Sequence, residues 1–114
     1  MQTITFTNQW GREVTIDFRK GTYMNNGNLY VGAYNVNEEG DLEPYCNITV
    51  NFADKLAEAN SAYLDINNGD MNLFRVMVKE GYISPLYSAM ESGFCTYPLY
   101  EFSQEFLDSV PELK

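Results

Sequence analysis

The chain has 114 residues, 45% of them hydrophobic and 15% aromatic, with 16 Asp and Glu against 7 Lys and Arg and no histidine, for a net charge of −9. That length suits one domain with one packed core, and so much apolar and aromatic content lies outside the low-hydrophobicity signature of disorder. Without imidazole, histidine-based triads, HExxH zinc sites and two-histidine iron sites cannot be assembled within the chain.

The first segment alternates. Ile4 and Phe6 sit between threonines, and after Asn8-Gln9-Trp10-Gly11 the residues Val14, Ile16 and Phe18 alternate with Thr15 and Asp17, which predicts a β-hairpin. Residues 19–28, rich in glycine and asparagine, predict a loop holding an Asn-Gly turn. Leu29, Val31 and Ala33 then take one parity and Tyr30 and Tyr34 the other. Across Asn37-Glu38-Glu39-Gly40-Asp41 a strand carries Cys46, Ile48, Val50 and Phe52 in alternation with Asn47, Thr49 and Asn51. Ala53 to Asn60 fits either one or two helical turns or an ordered loop.

Ala62, Leu64 and Ile66 predict a fifth strand, stopped by Asn67-Asn68-Gly69. Asp70 or Asn68 caps a helix over residues 70–80, in which Leu73, Phe74, Met77 and Val78 repeat at helical spacing until Gly81. Ile83-Ser84-Pro85 restarts extended backbone, with a sixth strand near Leu86 to Met90. Ser92 to Phe102 is densely aromatic and contains Pro98, so it reads as a seventh strand at an edge or bulge, or as an ordered arm. Ser103 ahead of Glu105 and Phe106 suggests a short capped turn of helix, ended by Val110-Pro111, with residues 109–114 frayed. The sum is a single α+β domain over residues 1–114, mainly antiparallel sheet of about five to seven strands with one helix packed on a face.

Compartment follows from the cysteines. Cys46 and Cys95 have no CxxC spacing, no basic-then-apolar leader precedes them, and no apolar run reaches membrane-spanning length. A reducing cytoplasm with two free, packed thiols is expected, with no membrane association. Three stretches, Tyr45 to Asn51, Tyr63-Leu64-Asp65-Ile66-Asn67-Asn68 and Ser92 to Phe102, give the chain its resemblance to a family of uncharacterised small acidic proteins found on phages and conjugative elements of gut anaerobes. The resemblance implies a mobile-element setting, where such proteins often antagonise host defence enzymes, and it implies no activity.

Candidate chemistry is sparse. Asp65-Ile66-Asn67-Asn68-Gly69-Asp70 has the oxygen-rich look of a calcium loop, but counting from Asp65 puts Gly69, Asp70 and Val76 where an EF-hand needs an acid or amide, a glycine and a bidentate Glu. Turn and cap chemistry explains it instead, and no metal or cofactor is expected. Cys95 lacks a base to activate it, and no pair of carboxylates is marked as buried, as glycosidase chemistry would require. No catalytic residue is assigned.

Charge is uneven: residues 1–37 carry a net +1 and the remaining 77 a net −10. Direct binding to nucleic acid is disfavoured, because phosphate backbones are bound with cations. The acids Glu38, Glu39, Asp41, Glu43, Asp54 and Glu58, beside Tyr30, Tyr34 and Tyr63, suit contact with another protein, including one with a basic nucleic-acid groove. A non-enzymatic protein-interaction module is therefore the first expectation, with self-association also open. An acidic nucleic-acid mimic that inhibits a restriction or CRISPR-type nuclease is the second. A small-ligand or enzymatic domain using an aromatic cleft is the third.

Overall fold

Period-two alternation generates two antiparallel sheets in the computed structural model, which describes residues 3–52 and 57–113. Strands β1 (Thr3–Thr7), β2 (Glu13–Thr22), β3 (Leu29–Val36) and β4 (Leu42–Asn47) form a meander in sequence order. Strands β5 (Thr49–Val50), β6 (Ser61–Leu64), β7 (Ile83–Ser92) and β8 (Cys95–Phe102) form the second sheet in the order β5-β6-β8-β7, and helices α1 (Met71–Lys79) and α2 (Gln104–Ser109) complete the described residues. The α+β, mainly antiparallel expectation holds, but eight strands in two sheets and two helices replace five to seven strands and one helix.

The core forms where the inward parities meet. Ile16 and Phe18 of β2, Val31 and Ala33 of β3, and Ile48 are sealed by Leu73, Phe74 and Met77 of α1 and by Phe102 and Phe106. The Phe106 ring meets Phe18 edge-on at 5.1 Å and stacks on Tyr82 at 4.7 Å. Asp70, not Asn68, caps α1: its Oδ1 accepts from the Asn72 amide at 3.0 Å, while the Asn68 side chain donates to Asp65. Ser103 caps α2, accepting from the Phe106 amide at 3.1 Å.

Three local readings change. Arg19 to Thr22 belong to β2 and pair with Leu29 to Gly32, so the loop contracts to the turn between Tyr23 and Asn28, whose backbone bond is 2.9 Å. The strand expected through Cys46 and Phe52 breaks at Ile48, giving β4 to one sheet and β5 to the other. Ile48 makes the join, donating its amide to Val31 at 3.0 Å and accepting from Asp65 at 3.0 Å. Finally, the tail expected to fray runs along β2: Lys20 donates to Pro111 at 3.0 Å, Leu113 donates to Lys20 at 2.8 Å, and Val110 is buried.

Pro98 lies in β8, which has neighbours on both sides of the sheet. At that position only β7 is paired with it, through Ala89, because β6 joins β8 from Leu99 onward. The missing N–H therefore interrupts no ladder toward β6. Of the stretch Ala53 to Asn60, residues 53–56 lie outside the described residues, and so does Asp54.

Candidate functional site

The β3–β4 hairpin gathers most of the residues singled out above. Val31 and Ala33 point into the core, so Tyr30, Gly32 and Tyr34 face outward. The hydroxyls of Tyr30 and Tyr34 lie 3.1 Å apart, and the Tyr23 ring meets Tyr30 edge-on at 5.7 Å. Both rings fold over Gly32. A Cβ there would collide with the Tyr30 hydroxyl and stand 3.3 Å from Tyr34 Cε1, so glycine is what lets the two phenols lie together. Beside them is a notch of about 180 Å³, lined also by Pro44, Tyr45 and Asn47. Burial, and next the Tyr34 hydroxyl, push the Tyr30 phenol far above its ordinary range, so it stays a neutral hydrogen-bonding group.

At the end of this hairpin the turn is built as a rigid mount for charge. Asn37 Oδ1 accepts from the amides of Glu39 at 3.0 Å and Asp41 at 2.9 Å, and the Asn37 amide donates to Asp41 at 2.9 Å. Gly40 supplies the left-handed backbone, at φ +84°. Glu38, Glu39 and Asp41 are exposed at the tip. Glu43 is placed differently: it pairs with Asn35 while Pro44 pairs with Tyr34, which puts Glu43 on the face opposite the tyrosines. Among the described residues the one ion pair is Arg19–Asp17 at 2.8 Å, so the turn carboxylates are ion-paired with no described cation.

Tyr63 is not part of this group. It lies on β6, in the other sheet, with its ring against Phe52 at 5.5 Å. Glu58 is exposed ahead of β6. The structure thus joins Tyr30 and Tyr34 with Glu38, Glu39 and Asp41 on one hairpin, and separates Tyr63 and Glu58 from them.

The burial of two carboxylates, Asp17 and the α1 cap Asp70, is not legible in the sequence. Asp17, 1% exposed, stands between Ile16 and Phe18 with its carboxylate against Arg19, yet neither oxygen has a directed hydrogen bond. Its one available signal was Arg19 two residues later on the same parity. Asp70, also buried, accepts from Asn72 and, at 3.2 Å, from the Gln9 amide through Oδ1, and from the Tyr45 hydroxyl at 2.6 Å through Oδ2; Asn8 in turn donates to Tyr45 at 3.1 Å. This network ties the β1–β2 turn and β4 to the start of α1. Burial, reinforced by Asp70, pushes the Tyr45 phenol up to about 12. Burial likewise pushes the Cys46 thiol up to about 11, so it is a poor nucleophile at neutral pH.

A larger hollow, about 410 Å³, opens between Glu80, Tyr82 and α2. Its two serine hydroxyls are engaged: Ser103 caps α2 and Ser109 donates to the Phe106 carbonyl at 2.8 Å. Among the described residues no three acids or thiols cluster as metal ligands, and no helix is long and apolar enough to cross a membrane.

In comparisons with known proteins, residues 16–112 match the model of a family described as a domain of unknown function (DUF4313). No curated protein and no solved structure matches the chain.

Proposed function

The chain belongs to the family described as a domain of unknown function (DUF4313), and from that premise, which carries no activity with it, we propose a non-enzymatic module that acts by contact with another protein. The observation that carries this reading is the β3–β4 turn, where Glu38, Glu39 and Asp41 are mounted on the Asn37 hydrogen bonds and form no ion pair among the described residues. A solvating surface needs no such mounting, whereas a contact surface gains from charges fixed before encounter. The Tyr30 and Tyr34 rings continue the same hairpin with apolar area and polar tips. The partner is a protein with a basic surface.

A narrower version makes that surface a nucleic-acid groove and the protein a mimic that blocks a restriction or CRISPR-type nuclease. Carboxylates replace phosphates, and steering accelerates association. The setting is that of an accessory or regulatory protein of a phage or conjugative element of gut anaerobes, working in a reducing cytoplasm. It is supported by the resemblance in Tyr45 to Asn51, Tyr63 to Asn68 and Ser92 to Phe102, and by two unpaired thiols. A small-ligand or enzymatic role would instead use the notch beside Tyr30 and Tyr34.

Affinity capture from a host lysate, run with the wild-type chain and with Glu38→Lys/Glu39→Lys, separates these readings. The proposal expects a basic protein that is held by the wild type, lost from the variant, and released as salt rises from about 50 to about 500 mM, because screening shortens over that range. Retention by the variant, or at high salt, removes it. A small-ligand role predicts thermal stabilisation by a metabolite, unaffected by the same substitutions.

A further inference from the structure

Among the described residues, the second sheet ends in an edge with no partner strand and almost no charge. β7 is outermost in the order β5-β6-β8-β7, and its far half pairs only with β8. β6 covers β8 at Leu99, Tyr100 and Glu101, so from Pro98 to the turn the sheet thins to a two-stranded ribbon. Asn67, which donates to the Thr96 carbonyl at 3.2 Å, and the Phe52 ring, 5.3 Å from Tyr97, support the β8 side of this ribbon, whereas the β7 side is an exposed edge, a ready template for another strand. Residues 81–100 contain a single charged side chain, Glu91, in a chain of net charge −9. Two copies of so acidic a protein repel each other over most of their surface, and here they do not.

The edge is guarded over only part of its length. Pro85 and the irregularity between Pro85 and Ser88, with Tyr87 at φ +59°, block pairing of the near half. They also turn Leu86 and Tyr87 outward, and Tyr87 is 93% exposed. Ser88 to Ser92 is left free, followed by the Gly93-Phe94 turn with the Phe94 ring fully in solvent.

We propose that the protein forms a two-fold dimer by antiparallel pairing of β7 with β7 of a second copy over Ser88 to Ser92. A symmetric axis normal to the sheet passes through one residue. Through Glu91 it would oppose the two carboxylates. Through Met90 it sets each Glu91 against Ala89 and each Ser88 against Ser92. The same register brings Leu86 and Tyr87 of one copy alongside Gly93 and Phe94 of the other, so the aromatic side chains left exposed on one chain meet those of its mate. Tyr87 and Phe94 bring roughly 300 to 500 Å² per copy, a large part of the roughly 800 Å² per partner that a stable interface buries. The paired ribbons become a four-stranded sheet. The dimer uses neither the β3–β4 turn nor its tyrosines, and stands independently of the function proposed above.

Sedimentation velocity from about 5 to about 500 μM tests it. The expected result is a concentration-dependent species of twice the 13.1 kDa chain mass, unweakened by added salt. Met90→Lys, which opposes two cations at the axis, and Phe94→Asp, at a fully exposed turn, should each weaken it at least tenfold with circular dichroism unchanged. In a Cys46→Ser/Cys95→Ser background, Met90→Cys should cross-link two chains under mild oxidation and Ser84→Cys should not, since self-paired residues lie within disulfide reach. A chain that stays monomeric at about 500 μM, a dimer indifferent to both substitutions, or cross-linking at Ser84 in place of Met90 would overturn the proposal.

Discussion

Asp17 shows how a single carboxylate comes to depend on one neighbour. It lies on the face opposite Ile16 and Phe18, is buried there, and pairs with Arg19 at 2.8 Å. Removing one member of a buried pair leaves an uncompensated charge and costs about 3 to 5 kcal/mol, whereas removing both costs far less. Arg19→Ala is therefore expected to lower the urea-derived stability by about that amount, and Asp17→Asn/Arg19→Ala to recover most of it. Equal losses in the single and double variants would show that the pair carries no coupling. Parity was legible in the sequence at this scale: it put Val31 and Ala33 on one face of their strand and Tyr30 and Tyr34 on the other, and the structure turns the first pair inward. Burial of Asp17 was not, because period two says which face a side chain takes and nothing about what covers that face. Tyr63 was misjoined to Tyr30 and Tyr34 for a related reason. Parity within a strand cannot tell which of two sheets the strand enters.

Elements were legible where local chemistry ends them and illegible where tertiary partners do. Asp70 and Gly81 bound α1, and Asn37 to Asp41 bound the β3–β4 turn, all with residues whose turn and cap preferences are intrinsic. The break at Ile48 has no such marker, since Cys46, Ile48, Val50 and Phe52 alternate identically whether they lie in one strand or two. What divides them is the backbone of β3, to which Ile48 and Thr49 both bond. Thr49 Oγ1, 1% exposed, accepts from the Val31 amide at 3.1 Å and lies 2.9 Å from the Tyr23 hydroxyl. Thr49→Val keeps the shape and removes the oxygen, leaving a buried N–H without its partner, a loss of about 1 to 3 kcal/mol. Hydrogen exchange should locate it, with the Val31 amide losing protection more than amides of β1. Uniform loss across both sheets would mean that Thr49 does not hold the junction.

At the scale of the whole molecule, charge separates a surface kept for solubility from one kept for contact. A net charge of −9 on 114 residues repels itself, and Glu38, Glu39 and Asp41 add to that field while meeting no cation among the described residues. Carboxylates retained only to keep the protein dissolved could sit anywhere on the surface and need no fixed geometry. These sit on a turn whose backbone is held by Asn37, beside two outward tyrosines. Glu38→Gln/Glu39→Gln reduces the net charge by two without changing shape, and relieves repulsions of a few tenths of a kcal/mol per pair of charges at about 10 Å in water. The variant should therefore melt a few degrees higher than the wild type at about 20 mM salt. That difference should close near 0.5 M, where the Debye length falls to a few ångströms, while binding to a basic partner weakens at every salt concentration below that. A stability gain paired with a binding loss is the signature of charge kept for contact at a cost to the fold. A variant that melts higher and binds its partner as before would assign these carboxylates to solvation and place the contact elsewhere on the surface.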